Sequence, residues 1–333
     1  MKKILVTGAE GFIGSHLVEL LVRKKYFVRA LVLYSFDSSN GWLDNIDKSL
    51  LQKIEIVRGD IRDSNFVDKL TKGMDCIINL AALIGIPYSY VAPNSYLDTN
   101  LYGLLNILNS ARKNKIKKII QTSTSEVYGS GIYFPIDEKH PIQPQSPYAA
   151  SKAAADHLAM SYHRSYGTPV AILRPFNVFG PRQSTRAIIP TVISQLIDDK
   201  QKEIRVGNIN TVREFNYIED TILAFEKAIN NKKIIGKIIN IGNGYDVPIK
   251  NIIILLKKIS KCQKKIKIKK ERIRKKGSEV ERLQSSSQLA KKYLGWSAKL
   301  NNRKKLLNAL RLTFDWYKKN NQNENIESEK YII

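Results

Sequence analysis

Tyr148 and Lys152 stand four residues apart in Tyr148-Ala149-Ala150-Ser151-Lys152, a spacing that puts both side chains on one face of a helix. A lysine beside a tyrosine favours the phenolate and draws the phenol's pKa towards a useful range. Such a pair can take the proton of an alcohol while a hydride leaves the same carbon. Upstream, Thr122-Ser123-Thr124-Ser125-Glu126-Val127-Tyr128-Gly129 closes an apolar, β-rich run. Glu126 offers a base for a carbon acid next to a ketone. At the carboxyl end of a strand it should face the ligand crevice of an α/β sheet; the alternative is a surface glutamate capping the next turn.

A hydride needs an acceptor, and Gly8-Ala9-Glu10-Gly11-Phe12-Ile13-Gly14 supplies the place for one. Glycines between a first strand and a first helix permit a tight turn and let the backbone approach a pyrophosphate. The helix N-terminus then turns its free amides and positive dipole end to the phosphates. An acidic residue that holds the adenosine ribose should end the second strand. Residues 28–35 contain none; Asp37 follows only in the loop. No arginine stands there for a 2′-phosphate unless Arg29 turns inward, so NAD is the expected cofactor with NADP left open.

The elements that must position these groups follow from the apolar pattern. Short β-rich runs at 3–7, 27–33, 54–57, 76–80, 118–122 and 170–173 alternate with helical patterns such as 13–24, 99–114 and 148–166. Strands apolar on both faces belong to parallel sheets with right-handed helical crossovers. The expected fold is α/β, a Rossmann-type doubly wound parallel sheet with a smaller, interleaved substrate-binding lobe. Residues 1–175, with about 213–242, form the dinucleotide-binding domain in this reading. Residues 176–212 and 243–319 form the lobe, with a helix at 188–197, a strand at 204–206 and helices at 249–259 and 303–317; a further strand at 237–241 falls to the dinucleotide-binding domain. Residues 320–333 make a polar tail. The helices 99–114 and 148–166 are apolar on more than one face, which points to a homodimer through a four-helix bundle.

Composition narrows the class. With 333 residues, 43% hydrophobic and 26% charged, the chain can bury a substantial core. No apolar run approaches the roughly 20 residues of a membrane span, and the opening Met1–Gly8 segment is not a signal peptide. Two cysteines, Cys76 and Cys262, make neither a disulfide framework nor a metal cluster, so a cytoplasmic protein without metal is expected. The net charge of +25 attracts anions. Its densest segment, 257–276, carries no interleaved aromatics, so anionic small molecules fit better than nucleic acid.

The spacing GxxGxxG of the glycine loop, followed by the Ser-Thr strand end and Tyr148/Lys152, resembles the extended short-chain dehydrogenase/reductase family of NAD-dependent epimerases and dehydratases. The resemblance covers nearly the whole chain. It implies cofactor contacts from Gly8, Gly11, Phe12, Ile13 and Gly14, adenine contacts at Asp60 and Ile61, and passage of Leu80, Ala81 and Ala82 beside the cofactor. It makes Thr124 the third member of a triad with Tyr148 and Lys152, which also touch the cofactor. Arg174-Pro175-Phe176-Asn177 through Arg182-Gln183 resembles the segment where an asparagine and an arginine meet a substrate diphosphate. Arg213 leads a second such segment. Arg274, before Gly277-Ser278-Glu279, stands in a third, where Lys275-Lys276 replaces the usual proline and blurs the register. Arginine forks suit diphosphates, and Arg186 is a further candidate.

Ser125-Glu126 is similar to nucleotide-sugar 4,6-dehydratases, in the form of their GDP-mannose branch. Ala81-Ala82-Leu83-Ile84-Gly85-Ile86-Pro87-Tyr88 and Gln143-Pro144-Gln145-Ser146-Pro147-Tyr148 resemble most the NDP-N-acetylglucosamine 4,6-dehydratases of legionaminic acid biosynthesis. The implied reaction oxidises C4, removes the C5 proton through Glu126, expels the C6 hydroxyl and leaves a 4-keto-6-deoxy sugar, with Ser125 positioning the departing hydroxyl or a water. Ser-Glu also occurs in UDP-glucuronate decarboxylases, for which Arg186 or Arg213 could read the carboxylate. A 4-epimerase and an inactive cofactor-binding regulator are the remaining alternatives.

Overall fold

The structure, a computed structural model, describes residues 1–274 and 277–320. Lys275-Lys276 and tail residues 321–333 lie outside the described residues, whereas Asn320, expected in the tail, ends the last helix, Arg303–Asn320. Six strands, β1 (Lys3–Thr7), β2 (Phe27–Leu33), β3 (Ile54–Gly59), β4 (Cys76–Asn79), β5 (Lys118–Thr122) and β6 (Val170–Pro175), join a seventh, Ile238–Ile241, in one sheet. Its order is seventh-β6-β5-β4-β1-β2-β3, and every pairing is parallel.

Alternation along the strands explains why both faces are covered. Ile4, Val6, Ile78 and Ile120 enter one buried cluster with Leu17 and Leu21 of helix α1 (Phe12–Arg23) and Phe225 of helix Ile218–Asn230. Their neighbours Leu5, Ile77 and Ile119 enter the opposite cluster with Leu104 and Ile107 of helix Gly103–Lys113 and Ala155 and Ala159 of helix Pro147–Tyr166. Side chains that alternate between two dry faces allow only a three-layer fold. A third cluster joins Val192 and Ile193 of helix Ile188–Ile197, Ile252 and Leu256 of helix Ile249–Ser260, and Leu310 and Phe314 of the last helix.

Some local expectations change. The helix expected over 99–114 is preceded by Pro93–Leu97 and a π-helical turn, Asp98–Tyr102, before regular helix at Gly103. A Cβ at Gly103 would lie 2.5 Å from Ile61 Cδ1, so this glycine lets the helix approach the loop after β3. Helix Ile218–Asn230 was not anticipated. The basic stretch contains a strand, Lys265–Ile268, parallel to Glu203–Val206; its Lys-Ile-Lys-Ile alternation has the period of a strand. Among the described residues no helix is long and apolar enough to cross a membrane.

Candidate active site

One cleft of about 1300 Å³ runs over the carboxyl ends of the strands. The residues expected to touch cofactor or substrate or to carry the chemistry all line it. Gly8, Gly11, Phe12, Ile13 and Gly14 lie with Asp60, Ile61, Leu80, Ala81 and Ala82; Thr124, Ser125, Glu126, Tyr148 and Lys152 lie with Asn177, Arg182, Arg186, Arg213 and Arg274. A pocket for one drug-sized ligand holds roughly 300–1,000 Å³, so this cleft has room for two large ligands side by side.

The glycine loop fits a dinucleotide. Gly8 has φ +64°, and a Cβ there would come within 2.8 Å of the Ala81 amide nitrogen. A Cβ at Gly14 would sit 2.1 Å from the Gly8 carbonyl oxygen. Gly11 differs: its backbone is ordinary (φ −76°, ψ 178°), and its Cβ would meet only the Gly8 oxygen, at 3.4 Å. The protein itself thus requires Gly8 and Gly14, whereas at Gly11 a ligand must supply the reason. Gly11 caps α1 with no side-chain bond, which leaves first-turn amides for phosphate. The Thr7 hydroxyl accepts from the Leu80 and Ala81 amides, both at 3.1 Å, and donates to Asn79 Oδ1 at 2.6 Å, fixing the exit of β4 under the loop.

Within β2, Arg29 turns away from the cleft. Its Nε donates to Glu55 Oε2 at 2.9 Å and its Nη1 to the Leu70 carbonyl at 2.7 Å. Asp37 is occupied locally, accepting from Ser35 Oγ at 2.6 Å and the Ser39 amide at 3.1 Å. Asp60 accepts two bonds from Arg62 Nε, at 3.0 and 2.9 Å, and this partner holds its carboxyl below the usual range.

The reactive pair sits at the start of helix Pro147–Tyr166, where Ser146 Oγ accepts from the Ala149 amide at 3.1 Å and Pro147 opens the helix. Both side chains are buried. The electrostatics differ from expectation: burial pushes the Tyr148 phenol up, the Thr124 hydrogen bond opposes this, and the Glu126 charge adds to it. Burial pulls Lys152 itself down to about 8, against the field of Asp156, and its Nζ donates to the Thr122 carbonyl at 2.6 Å. Burial thus weakens, without removing, the charge that the lysine brings to the phenol.

Glu126 is no surface cap. Thr124 Oγ1 caps the turn Ser125–Tyr128, accepting from the Glu126 amide at 3.3 Å, while the Glu126 side chain is 12% exposed with Oε2 4.0 Å from Arg274 Nη1. That Nη1 is buried and makes no hydrogen bond; Glu279 Oε1 lies 4.0 Å on its other side. Two other arginines of the cleft, Arg213 and Arg182, are anchored to protein. Arg213 Nη1 donates to the Val212 and Glu281 carbonyls at 3.0 and 3.2 Å, and Nη2 to the Val280 carbonyl. Arg182 pairs with Glu19 at 2.6 Å. Asn177 Nδ2 donates to the Glu214 carbonyl at 3.2 Å.

Sequence reasoning missed Asp156. It stands one turn after Lys152, with Oδ2 accepting from Ser123 Oγ at 2.6 Å and from Arg174 Nε and Nη2 at 3.0 and 2.9 Å. The repeat of four from Tyr148 through Lys152 to Asp156 was the available signal.

Residues 5–307 match a family described as GDP-mannose 4,6 dehydratase. A dTDP-D-glucose 4,6-dehydratase of Dictyostelium discoideum is 34% identical over 261 residues, 74% of this chain and 59% of that protein, so the match spans about three fifths of that relative's length. A putative UDP-glucose 4-epimerase of Methanocaldococcus jannaschii is 37% identical over 259 residues, 76% of this chain and 81% of that one. Among solved structures, a dTDP-glucose 4,6-dehydratase from Bacillus anthracis in complex with NAD superposes with TM-score 0.84 and 26% identity, covering 97% of this chain and 98% of that one.

Proposed function

The chain belongs to the GDP-mannose 4,6 dehydratase family, and from that premise we propose that it is an NAD-dependent nucleotide-sugar 4,6-dehydratase, a lyase that converts a nucleotide-linked hexose into its 4-keto-6-deoxy form with loss of water. The observation that carries this reading is the Glu126 carboxylate, held inside the cleft beside Arg274 and near enough to Tyr148 for its charge to act on the phenol. An epimerase at C4 needs no base at C5. A dehydratase does.

The glycine loop Gly8–Gly14 and the first-turn amides of α1 would hold NAD, which would supply the hydride acceptor for C4 and the hydride donor for C6. The chain's own groups do the rest. Tyr148 takes the C4 hydroxyl proton, with Thr124 hydrogen-bonded to the phenol and Lys152 holding the floor of the site against the Thr122 carbonyl. The 4-ketone acidifies the C5 proton, which Glu126 removes; the C6 hydroxyl departs with a proton as water, positioned by Ser125. A proton returned to C5 completes the product. Arg274, with its unsatisfied Nη1, leads the group that holds the diphosphate, joined by Asn177, Arg182, Arg186 and Arg213.

The narrower reading is an NDP-N-acetylhexosamine substrate, as in legionaminic acid synthesis; it rests on the loop from Ala81 to Tyr88, which lines the cleft. Residues 1–175 with about 213–242 would carry the dinucleotide, and 176–212 with 243–319 the nucleotide sugar. A cytoplasmic location accompanies this reading. So does a homodimer through the helices that include Tyr102 and Tyr166, both exposed; sedimentation at micromolar concentration checks it, and a monomer alone removes it. Incubation with UDP-, GDP- and dTDP-sugars, read by mass, tests the reaction. Loss of water supports it, whereas loss of carbon dioxide or unchanged mass with an inverted C4 replaces it with decarboxylation or epimerisation.

A further inference from the structure

We propose that Glu10, inside the glycine loop, is the residue that selects the dinucleotide: its carboxylate receives the adenosine ribose of NAD and repels the 2′-phosphate of NADP. The inference rests on the reading that the cleft holds a dinucleotide, and it names the residue that decides which one.

The end of β2, where an acid for this task belongs, offers Val32, Leu33, Tyr34 and Ser35 instead. The Glu10 side chain reaches that same strand end from the neighbouring loop. Its Oε1 accepts from the Leu33 amide at 3.1 Å, and both residues line the cleft. A carboxylate therefore stands at the β2 terminus although β2 does not encode one.

Its second oxygen is unsatisfied: Oε2 is buried and makes no hydrogen bond. Leaving such an acceptor unpaired is costly, and a sugar hydroxyl is a donor that would relieve it. A 2′-phosphate brings only negative charge. The loop that covers Glu10 is fitted to it. The Trp42 amide donates to the Glu10 carbonyl at 3.0 Å, and a Cβ at Gly41 would lie 2.9 Å from Glu10 Cβ. Burial of this carboxyl raises its pKa, with its own backbone amide and the Leu33 amide pulling the other way, so a further donor would also favour its ionised form.

The surrounding charges point the same way. Asp44 lines the cleft from the same loop, its carboxylate accepting from the Asn40 amide at 2.8 Å and Asn40 Nδ2 at 2.6 Å. Arg62 is paired with Asp60. Arg58, on β3, is turned to the Ser38 carbonyl at 2.9 Å and Asn40 Oδ1 at 2.7 Å. None of these offers a guanidinium kept for a 2′-phosphate.

Calorimetric titration of the purified protein with NAD⁺ and with NADP⁺, together with analysis of the nucleotide it releases on denaturation, tests this without any turnover. The wild type should prefer NAD⁺. Glu10→Gln keeps the acceptor for the Leu33 amide but loses the charge, and should reduce the NAD⁺/NADP⁺ affinity ratio by at least about tenfold, the low end of a like-charge penalty. If circular dichroism shows that variant unfolded, Glu10→Ala gives the same readout. A wild type that binds both forms equally, or a folded variant with an unchanged ratio, overturns the role of Glu10 alone. A protein that binds neither form overturns the cofactor reading beneath it.

Discussion

Replacing Glu126 by glutamine keeps the shape of the side chain and removes its capacity to take a proton. The structure separates the consequences for fold and for rate. The carboxylate's nearest cation, Arg274 Nη1, is 4.0 Å away without a hydrogen bond, and Arg274 is 30% exposed. A pair this loose and partly solvated contributes at most about 1 kcal/mol, and the turn that carries Glu126 is capped by Thr124 rather than by Glu126 itself. Stability should therefore change little. Turnover should not survive: deleting a general base costs on the order of 10²–10⁴-fold, or about 3–5 kcal/mol of barrier. Oxidation at C4 uses Tyr148, Thr124 and Lys152, so it should persist. In single-turnover mixing with the sugar nucleotide identified by the mass panel, Glu126→Gln should show the absorbance of reduced nicotinamide rising and then holding, with no product of lower mass. Tyr148→Phe should show no rise. Turnover by Glu126→Gln within a few-fold of wild type would refute Glu126 as the base and remove the main support for dehydration.

The glycine loop gives a contrast between two alanine substitutions. Gly11→Ala should fold, since its backbone is ordinary and its Cβ has room, yet lose NAD binding in calorimetry; Gly14→Ala, whose Cβ would meet the Gly8 oxygen at 2.1 Å, should lower the melting temperature. Equal binding by Gly11→Ala and wild type would place the pyrophosphate elsewhere. Asp156→Ala strands the buried Arg174 guanidinium, both side chains being 3% exposed, and should cost about 3–5 kcal/mol in urea unfolding; a loss below about 1 kcal/mol contradicts that account. Burial pulls Lys152 from its ordinary 10.5 down to about 8 in the folded chain. The unfolded chain therefore binds more protons between those values, and stability should rise with pH across about 8 to 10.5. Comparing wild type with Lys152→Met isolates this contribution, and a difference that is flat over that window contradicts the depressed pKa.

Periodicity made the sheet legible, because Ile4 and Val6 face one core while Leu5 faces the other, and no other layer pattern satisfies both. That Tyr148 and Lys152 share one cleft was legible because fixed spacing implies shared direction. Interactions that depend on burial were not. Spacing brought Lys152 near Tyr148 but could not reveal that the lysine is buried and held by the Thr122 carbonyl, and that this burial lowers its own pKa. Asp156 escaped because an acid in an alanine-rich helix reads as a solvated face until Arg174, from another element, is seen against it. The strands Val212–Glu214, Asp246–Pro248 and Arg282–Leu283 are too short for any period to be counted. Yet they anchor Arg213: the guanidinium is held by the Val212 carbonyl and by carbonyls of residues 280 and 281, just before the Arg282–Leu283 strand. Glu10 escaped for a related reason. Its position in the loop says where its backbone lies, but only the fold shows its carboxylate at the end of β2. A group's chemistry follows from its residue type, and what that chemistry acts on follows from partners distant in sequence.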